Sequence, residues 1–185
     1  MVARDYRVVG IDPSPTLVGY ARREDERADY LIAPGEALPF RDGSFELVVA
    51  YNSLQNVDDL SRVVAEAARV LVPEGRLCIC VVHPMTDVPN HFESTDPSSS
   101  FVVTSYFGPR PVDETVERDG IQMTFRGCAY SLEDYMRALE GAGFAVDLYR
   151  EPRPEELLSD DRPERAQWHR LPLFLFLRAV KRSAQ

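Results

Sequence analysis

The sequence predicts an α/β fold built on a mainly parallel sheet, and three observations support this. Short apolar runs alternate with segments that have helical periodicity, which is typical of strand–helix–strand units. The runs at 45–50 and 76–82 are continuously apolar, as in parallel strands covered on both faces. A last apolar run, 171–180, follows a helix and a strand and predicts a closing strand.

Size and composition predict one globular domain over 1–185. Hydrophobic residues make up 44% and charged residues 28% of the 185 residues, enough apolar material for a core. The net charge of −9 and the lack of a Lys/Arg stripe argue against a nucleic-acid partner. A small molecule remains the expected partner.

The first half contains four predicted strands, 7–11, 30–33, 45–50 and 76–82. Ser14 followed by Pro15 predicts the start of the first helix, because the hydroxyl can cap it and proline suits its first turn. Asp58 or Asp59 is expected to cap the second helix. That helix is expected to end at Pro73 and Gly75.

Residues 84–128 interrupt this order and predict an insertion that covers the sheet edge. Two alternating strands are expected there, the run FVVTSYF and a hairpin that turns at Arg118-Asp119-Gly120 into IQMTF. The regular order returns with SLED, a capping box at Ser131. A strand at 145–150 and a polar loop at 151–168 precede the closing strand.

The three cysteines are interpreted as small apolar core residues in a reducing compartment. Cys78 and Cys80 lie two apart in an apolar strand, and their spacing to His83 or His91 does not suit zinc, so no metal site is predicted. No apolar run reaches the roughly 20 residues of a membrane span, and no signal peptide opens the chain. We therefore expect a cytoplasmic protein with no membrane contact.

Polar residues follow the predicted strand ends, where ligands bind in open parallel sheets. They are Asp12, the segment PGEA at 34–37, the segment Tyr51-Asn52-Ser53, and His83 before Pro84. A carboxylate after a strand is placed to accept both hydroxyl groups of a ribose. The alternative for Asp12 is a turn residue beside Pro13 at the start of the helix, and spacing alone does not decide between the two.

Four segments, in this order, resemble class I S-adenosylmethionine-dependent methyltransferases: GIDPSPTLVGYAR, GEALPFRDGSFELVVAYNSLQNVDD, EAARVLVPEGRLCICVVHP and LEDYMRALEGAGF. The chain looks most like the small-molecule branch of bacterial secondary metabolism and quinone methylation. The resemblance spans nearly all of 7–180. It implies a Rossmann-like fold with an antiparallel last strand and S-adenosylmethionine as cofactor.

The resemblance also implies the site residues. Asp12 would hold the ribose hydroxyls, with Pro13 beside it. The edge of the adenine would meet Gly35, Glu36 and Ala37. The methionine end would meet Tyr51, Asn52 and Ser53.

The methyl acceptor is expected under the insertion 84–128. There Tyr106, Phe107 and Phe125 would clamp an aromatic acceptor, or alternatively form the small core of the hairpin. Arg110, Arg118 and Arg126 would meet an acidic acceptor, although ordinary surface charge explains them equally well. His83 is the candidate general base, with a polar cap on the strand end as its alternative role.

Two departures from the family pattern affect the expected site. Pro34 stands where relatives carry an acidic side chain against the adenine amino group. The family's first strand and its glycine-rich turn are missing, so the sequence is interpreted as N-terminally truncated. In the family that strand lies between those represented here by 7–11 and 45–50.

Three consequences of this gap are conceivable. The two neighbouring strands pair directly, a homodimer mate or partner chain covers the open sheet edge, or the chain is a shortened form of a longer product. Two functions follow: methyl transfer to a small molecule, impaired by the gap, or a non-catalytic binding or assembly module. A dehydrogenase is a weaker third interpretation, because it does not explain EALPF-x-DGSFE.

Overall fold

The computed structural model describes residues 6–87, 89–118, 121–153 and 163–183. Ten strands and three α-helices follow one another in this part of the chain. The main sheet has four strands in the order β3-β4-β10-β9, and a separate two-stranded sheet pairs β1 with β2. The arrangement is Rossmann-like α/β with an antiparallel last strand, as the sequence predicts.

The chain begins with β1 (Val9–Asp12), α1 (Pro15–Glu24) and β2 (Asp29–Ile32). Ser14 caps α1 as predicted, since its hydroxyl accepts the N–H of Leu17 at 3.3 Å. β1 and β2 pair in parallel. β1 ends one residue later than predicted, so Asp12 is its last residue. β2 ends one residue earlier than predicted, at Ile32.

The next unit is β3 (Phe45–Tyr51), α2 (Leu60–Val70) and β4 (Leu71–Val82). Asp59 caps α2, and β3 pairs with β4 in parallel. The predicted end of α2 was wrong: Val70 is its last residue, and Pro73 and Gly75 lie within β4. Glu74, between them, has a φ of +62°, and the register with β3 shifts nearby.

The segment between β4 and α3, which contains the predicted insertion 84–128, holds two small antiparallel pairs. β5 (His91–Phe92) pairs with β6 (Phe101–Val102), and β7 (Arg110–Arg118) pairs with β8 (Ile121–Ala129). The expected strand FVVTSYF is therefore reduced to β6. The hairpin β7–β8 is confirmed, while its Asp119-Gly120 turn lies outside the described residues.

The last unit is α3 (Leu132–Gly141), β9 (Phe144–Arg150) and β10 (Phe174–Lys181). The capping box at Ser131 is confirmed, because its side chain and that of Asp134 each bond the backbone of the other. β10 lies between β4 and β9 and is antiparallel to both. The predicted loop 151–168 includes a 3₁₀ helix, Pro163–Arg170, and its residues 154–162 lie outside the described residues.

The core lies on one face of the four-stranded sheet, under α2 and α3. β4, β10 and the inner sides of both helices supply its fully buried residues: Val64, Leu71, Leu77, Val81, Leu139, Leu175 and Leu177. On the opposite face, Leu47, Val49 and Tyr51 of β3 are 38%, 44% and 68% exposed. The prediction that β3 is covered on both faces was therefore wrong for the described part of the chain.

β1 and β3 are each paired on one side only among the described residues, with β2 and β4 respectively. They belong to different sheets, so the first of the three consequences, direct pairing of these neighbours, does not occur. Each strand presents a row of unpaired backbone groups along its free edge. The outward side chains of Leu47 and Val49 make the edge of β3 apolar as well as open.

An ion-pair cluster on α2 fixes the loop that joins the two sheets. The guanidinium of Arg69 donates to the carbonyls of Leu38 at 2.9 Å and Phe40 at 2.7 Å, and to Asp42 at 2.8 Å. It also bonds Glu66 at 2.7 and 2.9 Å. Glu66 in turn accepts the N–H of Leu38 at 2.7 Å. The bond to Arg69 is the main cause that lowers the pKa of Glu66.

We expect Arg69→Met to lower the free energy of unfolding by about 1–3 kcal/mol, because two carbonyls and the carboxylates of Asp42 and Glu66 lose a charged donor. Urea unfolding followed by circular dichroism measures this change. Arg137→Met is the matched control, since its pair with Glu133 is exposed and contributes about 0.5 kcal/mol or less. Equal losses in the two variants would show that the cluster does not hold the loop.

Candidate functional site

The first part of the predicted site forms where β1 and β2 end. Asp12 pairs with Ile32, and the N–H of Ala33 donates to the Asp12 carbonyl at 3.2 Å. The segment 34–37 therefore begins beside Asp12. This is the placement that the resemblance implies for the ribose and adenine contacts.

The Asp12 side chain combines both roles considered for it. Its Oδ1 accepts the N–H of Ser14 at 2.8 Å, which is the bond of a turn residue at the start of α1. No hydrogen bond joins Oδ2 to another group in the described part of the chain. One oxygen thus orients the carboxylate while the other remains available to a ligand hydroxyl. Pro13 beside it is exposed.

The segment 34–37 is supported by the first turns of α2. A Cβ on Gly35 would lie 3.2 Å from a methyl group of Val63, so glycine permits a close approach here. The carbonyl of Glu36 accepts from the Arg62 guanidinium at 3.0 Å. Pro34 and Ala37 are exposed on the outer side of the segment. A flat ligand edge along this segment would meet backbone rather than a carboxylate.

The second part of the site follows β3. Tyr51 pairs with Cys80 of β4, and the N–H of Asn52 donates to the Cys80 carbonyl at 2.8 Å. Asn52 has a φ of +46°, a left-handed conformation that asparagine tolerates better than most residues. This reverses the chain sharply and leaves Tyr51 and Ser53 exposed at the strand end. Left-handed residues of this kind often occur at binding sites.

His83 follows β4 at the same edge and is 6% exposed. Its Nδ1 accepts the N–H of Met85 at 3.2 Å, so Nε2 carries the proton and donates to Glu151 at 2.9 Å. Burial lowers the pKa of His83 below its ordinary value, against the opposing effect of Glu151. Both ring nitrogens are engaged, which favours the strand-end cap over a free base. The base role stays a prediction.

Sequence reasoning missed Glu151 and Tyr149, which lie beside His83. Glu151 accepts from the Tyr149 hydroxyl at 2.9 Å, and burial is the main cause that raises the pKa of Tyr149 to about 12. β9 is antiparallel to β10 and therefore parallel to β4. Its carboxyl end shares the ligand edge with His83. The signal in the sequence is the closing antiparallel strand, which places the end of β9 at this edge.

The predicted aromatic clamp is only partly assembled. The rings of Tyr106 and Phe107 pack edge to face at 5.1 Å, and the Tyr106 hydroxyl accepts the N–H of Leu132 at 3.4 Å. Phe107 is 80% exposed. Phe125 pairs with Glu114 in the hairpin, and its side chain lies outside the described residues.

Trp168, in the 3₁₀ helix Pro163–Arg170, packs on the insertion. Its ring meets Phe92 edge to face at 5.0 Å and lies 6.5 Å from Phe101. This contact closes the β5–β6 pair from outside.

The predicted site residues therefore lie in two groups that the loop 33–44 joins. Asp12 and 34–37 form one group, and 51–53 with His83 form the other. Among the described residues no glycine-rich turn lies between β1 and β3. Within those same residues no cluster of three or more potential ligands forms a metal site, and no helix is long and apolar enough to cross a membrane.

Comparison with known proteins identifies relatives of this chain. Residues 1–79 match a family described as a methyltransferase domain. A demethylmenaquinone methyltransferase of Chlorobaculum tepidum is 35% identical over 79 residues, 43% of this chain and 32% of the relative. The enzyme of the same name from Tropheryma whipplei is 28% identical over 167 residues, 80% of this chain and 66% of the relative.

Among solved structures, an S-adenosylmethionine dependent methyltransferase from Mesorhizobium loti superposes with a TM-score of 0.75 at 23% identity. The match covers 94% of this chain and 80% of that structure. This likeness shows the fold. The chain spans between about one third and two thirds of the length of the two curated relatives, 32% and 66% respectively.

The geometry of His83 predicts an acid-dependent loss of stability. Because its pKa is lowered in the folded state, the folded protein favours the neutral ring. The contribution of His83 to stability is then fully present above the ordinary histidine pKa of about 6.5, and it is lost as the pH drops below that value. Protonation of Nδ1 would also turn this acceptor into a donor, so that its N–H would face the N–H of Met85. We expect His83→Gln to flatten the decline in unfolding free energy between about pH 7 and pH 5.

Urea unfolding at several pH values measures this slope. His91→Gln is the matched control, because His91 is exposed on the insertion. We expect the control to keep the wild-type slope. An unchanged slope in His83→Gln would contradict the assignment.

Proposed function

We propose that this chain is a class I S-adenosylmethionine-dependent methyltransferase and that it transfers the methyl group of S-adenosylmethionine to a small-molecule acceptor. The observation that carries this proposal is that each predicted segment follows a strand end: Asp12 and 34–37 lie where β1 and β2 end, and 51–53 lie where β3 ends. Ligands of open parallel sheets bind beyond the carboxyl ends of the strands.

Each segment has a role in this proposal. Asp12 accepts ribose hydroxyls through Oδ2 while Oδ1 is held by Ser14. The backbone of 34–37 lies along the adenine edge, with Gly35 allowing close packing on α2. The turn at Asn52 directs the segment 51–53 toward the methionine end.

Bound S-adenosylmethionine supplies an electrophilic methyl group on a positively charged sulfur. The chain contributes position and exclusion of water, which account for a large share of the rate enhancement of such displacements. The insertion 84–128 lies over the edge and forms the acceptor side of the site. For an acceptor that must lose a proton, His83 is the proposed base, and that role requires the ring to release Glu151 or the N–H of Met85.

The proposal includes a partner for the open edges. Asp12 and Asn52 stand on strands of different sheets, and the described residues provide no backbone amides between them. We propose that a strand of a second polypeptide, either another copy of this chain or a separate partner, pairs along β1 and β3. Their unpaired backbone groups and the apolar side chains of Leu47 and Val49 support such pairing.

Isothermal titration of the protein with S-adenosylhomocysteine tests the cofactor assignment. We expect Asp12→Asn to weaken binding about tenfold or more, because a ribose hydroxyl loses a charged acceptor. Glu24→Gln is the control of equal charge change, at the exposed end of α1. Binding that is unaffected by Asp12→Asn would overturn the assignment.

The same titration tests the partner. We expect the affinity for S-adenosylhomocysteine to rise with protein concentration, in parallel with the dimer fraction from sedimentation, because the completed edge binds better. If a second copy does not assemble, added cell extract depleted of small molecules should supply the same gain. Tight binding by a monomer at every concentration would contradict this part of the proposal.

Two features of the site favour a second function. Pro34 is exposed without a side-chain acceptor, and both nitrogens of His83 are engaged within the fold. These features suit a binding or assembly module that keeps the scaffold without turnover. Binding of S-adenosylhomocysteine with no transfer to a panel of phenols, amines and quinones would favour it.

A further inference from the structure

A cavity of about 490 Å³ opens inside the insertion, and nothing described so far uses it. Its size is within the range of small-molecule sites. The walls combine apolar and polar groups: Pro89, Pro111 and Val112 with Asn90, Ser105 and Arg110. The proline and valine walls suit a flat apolar body, while the polar groups converge at one end.

Arg110 is the unusual member of this set. Its Nη1 donates to the carbonyl of Ser105, but Nε and Nη2 are buried and have no hydrogen-bond partner within the described part of the chain. A buried N–H that makes no bond costs free energy, and more so when it carries charge. The pair of unsatisfied nitrogens is the edge with which a guanidinium binds a carboxylate in bidentate fashion.

The acidic residue in the cavity wall does not satisfy Arg110. The Asp113 carboxylate pairs instead with Arg126 of the neighbouring strand at 3.3 Å, on the exposed side of the hairpin. Among the described residues, no carboxylate therefore occupies the arginine edge.

The surroundings of the cavity are held in place before any ligand arrives. Asn90 is 5% exposed and donates to the carbonyl of Met85 at 3.0 Å. Its Oδ1 accepts the N–H groups of Thr104 at 2.8 Å and Ser105 at 3.3 Å. These bonds hold Ser105 against the segment that follows His83. The Ser105 carbonyl, which accepts from Arg110, is fixed in this way.

The cavity also lies next to the 3₁₀ turn Leu54–Asn56, which follows the predicted cofactor segment 51–53. Val112, in its wall, pairs with Gly127 of β8. A Cβ on Gly127 would lie 2.5 Å from the carbonyl of Gln55, so the hairpin rests directly on the 3₁₀ turn Leu54–Asn56. That turn follows Ser53 immediately. Arg110 stands two residues before Val112 on the same face of β7.

We propose that Arg110 binds a carboxylate of the methyl acceptor, so that the substrate class is a planar organic acid. This rests on the proposed function for the identity of the ligand as an acceptor. The carboxylate occupies the Nε and Nη2 edge, the apolar body packs between Pro89, Pro111 and Val112, and the opposite end of the acceptor points toward the turn after Ser53.

Benzoate and benzamide are the probes, because they share shape and differ in charge. Calorimetry and ligand-detected nuclear magnetic resonance measure their binding to the full chain without cofactor. We expect benzoate to bind roughly tenfold or more tightly than benzamide. Equal binding of the two would overturn the proposal without any variant being made.

Variants then assign the selectivity to Arg110. Arg110→Gln should abolish the preference for benzoate, and Arg110→Lys should keep part of it, since charge remains but the bidentate fork is lost. Arg137→Gln is the control of equal charge change, and we expect it to keep the wild-type preference, because Arg137 is 77% exposed on α3 and is not part of the cavity wall. A preference that survives in a folded Arg110→Gln, or disappears in Arg137→Gln, would overturn the assignment.

The design separates this inference from the proposed function. Benzoate binding is measured in the absence of cofactor, so a failure of S-adenosylhomocysteine to bind overturns only the methyltransferase proposal. Thermal unfolding of each variant, with and without benzoate, shows whether the fold is intact. Stabilisation by benzoate of the wild type and of Arg137→Gln, but not of Arg110→Gln, is the expected pattern.

Discussion

The bonds that Glu66 and Arg69 make to the loop 33–44 are the constraint on which the site depends. β1–β2 and β3–β4 are separate sheets, and this loop is the covalent connection between them. Arg69 holds its carbonyls, while the N–H groups of Gly43 and Ser44 donate to the last carbonyls of α2 at 3.0 and 2.7 Å. One helix thus fixes the distance between the two halves of the cofactor edge.

This arrangement explains why the EALPF-x-DGSFE motif is informative. The backbone of the motif follows a path that side chains of α2 bind. Gly35 packs on Val63, and Asp42 reaches Arg69. The motif therefore reports the geometry of the fold more strongly than it reports catalysis. A protein can retain it while the free edges of β1 and β3 leave the pocket dependent on another strand.

Local rules predicted most of the fold because their causes are local. Ser14, Asp59 and the capping box at Ser131 act within one turn of helix, and each was found where expected. The predicted end of α2 was wrong because β4 begins at Leu71, which pairs with Phe45 of β3, and continues through Pro73. The prediction that β3 is covered on both faces was also wrong, since an apolar run does not reveal which elements pack against it. Glu151 and the unsatisfied edge of Arg110 required tertiary structure to be seen.

The contact between Gly127 and the carbonyl of Gln55 joins the insertion to the sheet at the turn after Ser53. A side chain at this position would lift the hairpin from the 3₁₀ turn and move the cavity away from Ser53. The left-handed conformation of Asn52 depends on the same turn, because the Asn56 side chain donates to the Asn52 carbonyl at 3.3 Å. The cavity and the turn after Ser53 therefore share one support. Under the proposed function, backbone packing between two strands and a turn sets the position of the acceptor, and the charged groups act on a geometry that is already fixed.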